Sequence, residues 1–334
     1  MFTLGCADNQ PLEPGFSGAG VTAATKVPLT DSPTGLYYTF KRGLYNGVNT
    51  MPARHDTDGI AAARRIQPLD SSGAPAANGK IVLLSIGMSS ASQEFCGKHS
   101  TGGVCKSWTF AGRAMPDPQR SPAVVIVNGA DGGQEARLWE SPTAANYPRV
   151  QAQLSAQGVT PQQVQVIWLK VVNISPTVAL PSTSADAFNL ERSMGKILRA
   201  LKVVYPNLQQ VFLMSRIYGG YTTLSNNPEP YAYESGFAAK WVIEAQIRQM
   251  MNGTIDSESG DLNHGSVAPW IAWGPYLWAS GTKARLDGLK WIRSEFEPDG
   301  FHPSQTGETK IGLHLFNFFT QSKFTSCWYR GTAC

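Results

Sequence analysis

Charge is scarce in this chain. Asp, Glu, Lys and Arg make up 16% of its 334 residues, and 28 basic against 24 acidic residues leave a net charge of only +4. No run of Lys or Arg of any length occurs, so neither nucleic acid nor an anionic membrane is an expected partner. No apolar stretch approaches the roughly 18–20 residues of a membrane span. Histidine is also sparse, at five. His55, His99, His264 and His314 lack partners at a metal-ligand spacing, so no metal or cofactor is expected. His55, Asp56 and Asp58 lie close together but read as a solvated turn.

Cysteine is limited to five residues. Cys96 and Cys105 bracket a glycine-rich loop, and Cys327 and Cys334 bracket the C-terminus. Neither spacing resembles a zinc site, and both suit short disulfides. Two disulfides imply an oxidising compartment, so the protein is expected to be secreted or periplasmic, its leader removed. Cys6 is left over. Aromatic residues are plentiful. They suit core packing or a cleft lined for sugar rings.

Residues 1–75 lack strong periodicity and read as an irregular N-terminal arm packed on a main domain. A short strand is expected at 36–40 and a short helix at 59–66. From Lys80 the texture changes. Nearly continuous apolar runs recur at 81–86, 123–127, 165–169, 210–214 and, more weakly, 270–273, as in strands buried on both faces of a parallel sheet. Helical patterns lie between and after them, at 186–203, 236–251 and 306–319. This alternation predicts an α/β fold, a three-layer α/β/α sandwich on a five-stranded parallel, flavodoxin-like sheet. The main domain spans 76–326, with an insertion around 216–268. A disulfide-closed tail follows at 327–334.

Ligands of such sheets bind at the carboxyl ends of the strands. Those ends carry Ser89, then Asn128 to Gly133, then Lys170 to Asn173, then Ser215 to Tyr221. Near the C-terminus, Asp299-Gly300-Phe301-His302-Pro303 precedes the last helix and can reach the same rim. A carboxylate beside an imidazole is what a hydroxyl nucleophile requires, since the Asp fixes the tautomer and the His takes the proton. Ser89, at the start of a loop after a strand and a glycine, offers both a hydroxyl and an oxyanion-binding N–H. Gly132-Gly133 permits close approach of a second N–H, and the Asn173 amide is a possible third donor. Each feature alone is also an ordinary cap or turn.

Together, in this order, they resemble the SGNH or GDSL-like hydrolases over about residues 80–322. Gly87-Met88-Ser89 stands for that family's Gly-Asp-Ser block, Gly133 for its oxyanion glycine, and Asp299 to Pro303 for its closing Asp-x-x-His block. Met88 replaces the usual Asp. The Gly-x-Asn-Asp block is not intact: Lys170 takes the place of its glycine and Val172 that of its asparagine, with Asn173 one residue on. Lys170 or Arg216 is an alternative source of positive charge. The resemblance implies a serine esterase in which Ser89 attacks, His302 is the base and Asp299 orients it, with Ser89, Gly133 and Asn173 as the oxyanion hole.

Arg216, Tyr218, Glu229 and Tyr231 crowd the fourth strand's end and read either as a substrate wall or as a packed loop. Acetyl esters on carbohydrate are the expected substrates. A short-chain lipid or aryl ester is one alternative, and a non-catalytic carbohydrate-binding protein on the same fold is another. A Gly-x-Ser-x-Gly elbow of the α/β-hydrolase type fits less well, because that fold needs strands before residue 80. Oligomeric state is not legible.

Overall fold

A computed structural model describes residues 24–97 and 104–334. Cys6, His99, Gly102 and Gly103 therefore lie outside the described residues.

Five strands form one parallel sheet: β3 (Ile81–Gly87), β4 (Val124–Asn128), β5 (Val164–Lys170), β6 (Gln210–Leu213) and β7 (Trp270–Trp273), in the order β4-β3-β5-β6-β7. A two-stranded hairpin precedes them, β1 (Leu36–Tyr37) with β2 (Phe40–Lys41). The helices are α1 (Ala53–Arg65), α2 (Ser89–Cys96), α3 (Phe110–Ala114), α4 (Asn146–Ala156), α5 (Asp186–Val204), α6 (Tyr231–Asn252), α7 (Gln305–Gln321) and α8 (Ser326–Arg330).

The expected three layers follow from strands buried on both faces. Along β3, Val82, Leu84 and Ile86 enter one core while Ile81 and Leu83 enter the other. That alternation follows from the two-residue period of a strand. The first core is closed by α4, α5 and α6, the second by α1, α2, α3, α7 and α8. Phe212 of β6 is wholly buried in the second core, where truncation of such a ring to Ala costs about 3–5 kcal/mol.

All five expected strands are present, within a residue or two of their predicted bounds. Helix α5 runs one residue past its expected end. Helix α6 begins at Tyr231 rather than Gly236, directly after Pro230, and closes on Gly253 in the left-handed conformation. The stretch read as an insertion thus supplies α6, which packs against α5 and β7.

The expected short helix of the arm is longer, at 53–65, and His55 does not lie in a solvated turn. It is buried in α1, 2.8 Å from the Ile271 carbonyl and stacked on Trp270. The arm wraps the β7 edge. The Tyr37 hydroxyl donates to Glu234, Trp273 donates its indole N–H to the Leu44 carbonyl, and Phe40 packs against Trp241. Both predicted disulfides are formed, Cys96–Cys105 and Cys327–Cys334. Among the described residues no helix is long and apolar enough to cross a membrane.

Candidate active site

Ser89 is the first residue of α2, not the start of a loop. Strand β3 ends at Gly87, where any Cβ would lie 2.2 Å from the Lys170 carbonyl oxygen of β5. Only glycine lets the two strands stay paired while the chain turns into α2. Met88 sits on the buried side of that turn, so an apolar side chain suits the position.

The segment from Asp299 to Ser304 approaches from the other side. Gly300 has φ +65°, and a Cβ there would lie 1.8 Å from the Tyr221 carbonyl oxygen. The Thr223 N–H donates to the Asp299 carbonyl, so the loop after β6 braces this turn. Asp299 Oδ1 accepts from the N–H groups of Phe301 and His302, and Oδ2 lies 2.7 Å from His302 Nδ1. His302 Nε2 lies 2.9 Å from Ser89 Oγ. The three side chains named from the sequence thus stand in one hydrogen-bonded line.

Burial raises the Asp299 carboxyl, but the hydrogen bonds from the His302 ring and from the Phe301 and His302 N–H groups outweigh it. The carboxyl lies below its ordinary value and is ionised at neutral pH. An acceptor at Nδ1 puts the proton there and leaves Nε2 with its lone pair toward Ser89.

The loop after β4 crosses the ends of β3 and β5. The Asp131 N–H donates to the Gly87 carbonyl and the Ala136 N–H to the Val172 carbonyl. Gly133 lies between these anchors at φ +71°, with nothing within 4 Å of where a Cβ would stand. Asn173 is oriented differently. Its Oδ1 accepts from the Arg137 N–H, and its Nδ2 lies 3.5 Å from Ser193 Oγ on α5. This turns the amide toward α5, and Asn173 is not retained as an oxyanion donor.

Of the expected substrate wall only Arg216 is buried, and Tyr218, Glu229 and Tyr231 are half-buried. Arg216 is 2% exposed and lies behind the triad. Glu229 accepts from the Gly219 N–H, the Trp278 indole and the Tyr233 N–H, so it ties together a loop and the start of α6. Burial raises its carboxyl despite those donors. Tyr218 packs edge-on to Tyr221 and Trp278. Tyr231 lines a small cavity with Asn173, Asp186 and Asn227.

Lys170, considered as a source of positive charge for the oxyanion, is buried and paired with Glu94. Burial lowers its ammonium to about 8, Glu94 opposing and Arg216 adding to the fall. The roles of Glu94, Ser90 and Phe301 were missed in the sequence. The available signals were a Glu on the buried face of a short helix and a Lys ending a mostly apolar strand. Among the described residues no cluster of three or more His, Cys, Asp or Glu could hold a metal.

No family model and no curated protein matches the sequence. Solved structures do resemble the chain. An extracellular lipase from Streptomyces rimosus is 15% identical, over 71% of this chain and 98% of that one, at a TM-score of 0.36. A family two carbohydrate esterase from Cellvibrio japonicus is 12% identical, over 74% and 62%, at 0.36. A protein from Arabidopsis thaliana is 13% identical, over 76% and 99%, at 0.38. The likeness is one of overall fold. The chemistry rests on the side chains described above.

Proposed function

We propose that the protein is a serine esterase of the SGNH type that removes short acyl groups, in the first place acetyl groups carried by carbohydrate. The observation that carries this reading is the line from Asp299 through His302 to Ser89, with 2.7 and 2.9 Å between successive partners.

As Ser89 Oγ forms its bond to the ester carbonyl carbon, its proton passes to His302 Nε2. The resulting imidazolium is held through Nδ1–H by Asp299. The oxyanion takes the Ser89 N–H, which lies in the first turn of α2 where backbone donors have no intrahelical acceptor. The Gly133 N–H is the second donor. Collapse breaks the C–O bond to the alcohol, which leaves with the proton from Nε2. Water then repeats the sequence on the acyl-enzyme, releasing the acid and restoring Ser89.

Asp131, Gly132, Gly133 and Thr223, in the loops after β4 and β6, are exposed and are polar or lack side chains. That favours a hydroxylated alcohol over a long acyl chain. The two disulfides support a secreted protein.

The test is hydrolysis of p-nitrophenyl acetate by wild type and Ser89→Ala, followed by acetate release from acetylated polysaccharides. A rate in the wild type that Ser89→Ala abolishes is expected. Equal, negligible rates in both would sink the esterase and favour a carbohydrate-binding protein. A His302→Ala variant with full activity would remove the assigned base.

A further inference from the structure

Ser89 and His302 are 213 residues apart in sequence, and they belong to elements with no covalent reason to stay in register. Arg216 spans the two. It lies three residues past the end of β6, with its N–H donating to Ser235 Oγ on α6. Its Nη1 donates to Ser90 Oγ at 2.6 Å and its Nη2 to the Phe301 carbonyl at 3.2 Å. The guanidinium carbon stands 3.9 Å from the centroid of the Phe301 ring. Ser90 and Phe301 are each 1% exposed. One arm of the fork therefore holds the residue after the nucleophile, and the other arm and the flat face hold the residue before the base.

We propose that Arg216 is a positioning residue that sets the separation of Ser89 Oγ and His302 Nε2, a role that rests on the triad reading above. It touches neither reacting atom. A guanidinium suits the task because its donors are fixed in one plane, so two acceptors held by it are held relative to each other. A lysine keeps the charge but is a point donor on a flexible stem and cannot fix both. Glu94 is close enough to favour the guanidinium charge and also pairs with Lys170.

The test uses the full chain and p-nitrophenyl acetate, with kcat referred to folded protein by near-UV circular dichroism well below each variant's Tm. Misplacing reacting groups by about 1 Å can cost on the order of 100-fold. Arg216→Lys is expected to lower kcat by a factor of that order while KM holds within about twofold, because acylation and deacylation use the same imidazole and slow together. Ser90→Ala, which removes one arm and leaves the fork in place, is expected to lower kcat about 3–10-fold, a fraction of that loss. Methylguanidine added to Arg216→Ala is expected to restore part of kcat. Should Arg216→Ala fail to fold, Arg216→Lys and Ser90→Ala still decide the matter.

An unchanged kcat in Arg216→Lys and Ser90→Ala would overturn the proposal. So would a raised KM with kcat kept, which would return Arg216 to the substrate. If Ser89→Ala retains activity, the triad falls and the positioning role with it. If Ser89→Ala is inactive and the Arg216 variants are unimpaired, only the positioning role falls.

Discussion

Asp299 holds His302 at two places, one oxygen on the ring Nδ1 at 2.7 Å and the other on the backbone N–H at 3.0 Å. The same carboxylate therefore shapes the turn and orients the imidazole. This predicts a specific failure for Asp299→Asn. The amide oxygen can still take the backbone donors, but the amide nitrogen then faces Nδ1 as a donor and favours the tautomer that carries its proton on Nε2. The turn is expected to survive and kcat to fall by about 10²–10⁴-fold.

The pH behaviour of the Asp299 carboxylate follows from its depressed value. Its contribution to stability is complete above the ordinary carboxylate range. It is lost only as pH falls through the lower folded value. Unfolding midpoints of wild type and Asp299→Asn should converge in acid and separate toward neutral pH. A constant difference between them across that range would contradict the assignment.

Gly300→Ala tests the turn from the backbone side. A Cβ at φ +65° would stand 1.8 Å from the Tyr221 carbonyl oxygen, and backbone cannot move aside as a side-chain tip can. The expected cost is about 2–4 kcal/mol, the range of a strained backbone position with a direct clash. Activity per folded molecule should fall as well, because the turn presents His302. The same change at Gly133, where no atom lies within 4 Å of a Cβ, carries only the conformational penalty of its positive φ. Comparing the two variants by urea unfolding and p-nitrophenyl acetate hydrolysis separates clash from conformational strain.

The sheet was legible because its strands are buried on both faces, only Val125 and Asn128 of the edge strand β4 being half-buried, so that apolar runs, rather than alternation, marked each one. The meeting of Ser89, His302 and Asp299 was legible because Ser89 follows a strand end and the other two stand just before α7, within reach of the same rim. The arm was less so. His55 looked like part of a polar turn because Arg54, Asp56 and Asp58 flank it, yet a helix puts Arg54 and Asp56 on other faces and turns the imidazole into the core, while Asp58, one turn on, pairs with His264. Arg216 and Glu229 stayed open between a substrate wall and a packed loop for a related reason. Position at the rim of a sheet says that a residue is near the site, not whether its side chain points outward or back beneath it. Asn173 lay at the expected strand end, but its amide direction depends on α5, which the strand-end pattern does not encode.

His55 gives a second pH signature. Its Nε2 faces the Ile271 carbonyl, and its buried Nδ1 has no hydrogen-bond partner among the described residues. The ring is therefore held neutral with the proton on Nε2, and burial lowers it to about 4. An unfolded chain takes up the proton near the ordinary histidine value of about 6.5. Stability from this group is thus fully present above about 6.5 and is lost as pH falls toward 4. The loss is at most about 3 kcal/mol. His55→Gln, which can still donate to Ile271, should flatten the decline of Tm across that window. An equal slope in both proteins would show that His55 is not the titrating group.

The Glu94–Lys170 pair supplies the last prediction. The two side chains are 0% and 3% exposed, so each charge depends on the other. Breaking such a pair from one side typically costs about 3–5 kcal/mol, because a buried charge is left uncompensated. In the wild type, burial lowers the Lys170 ammonium to about 8. Below that pH it is charged in both folded and unfolded protein, so stability is level with respect to this group. In Glu94→Gln the carboxylate no longer supports the charge, and the folded ammonium falls further. The variant's deficit must then grow as pH drops below 8, since the unfolded chain binds a proton that the folded one resists. Urea unfolding of wild type and Glu94→Gln at pH 6 and pH 9 is expected to show the larger difference at pH 6. Glu94→Gln combined with Lys170→Met should recover part of the loss, because the double variant leaves no buried ammonium to desolvate. A double variant as unstable as the sum of its single variants would mean that the two charges act independently of each other.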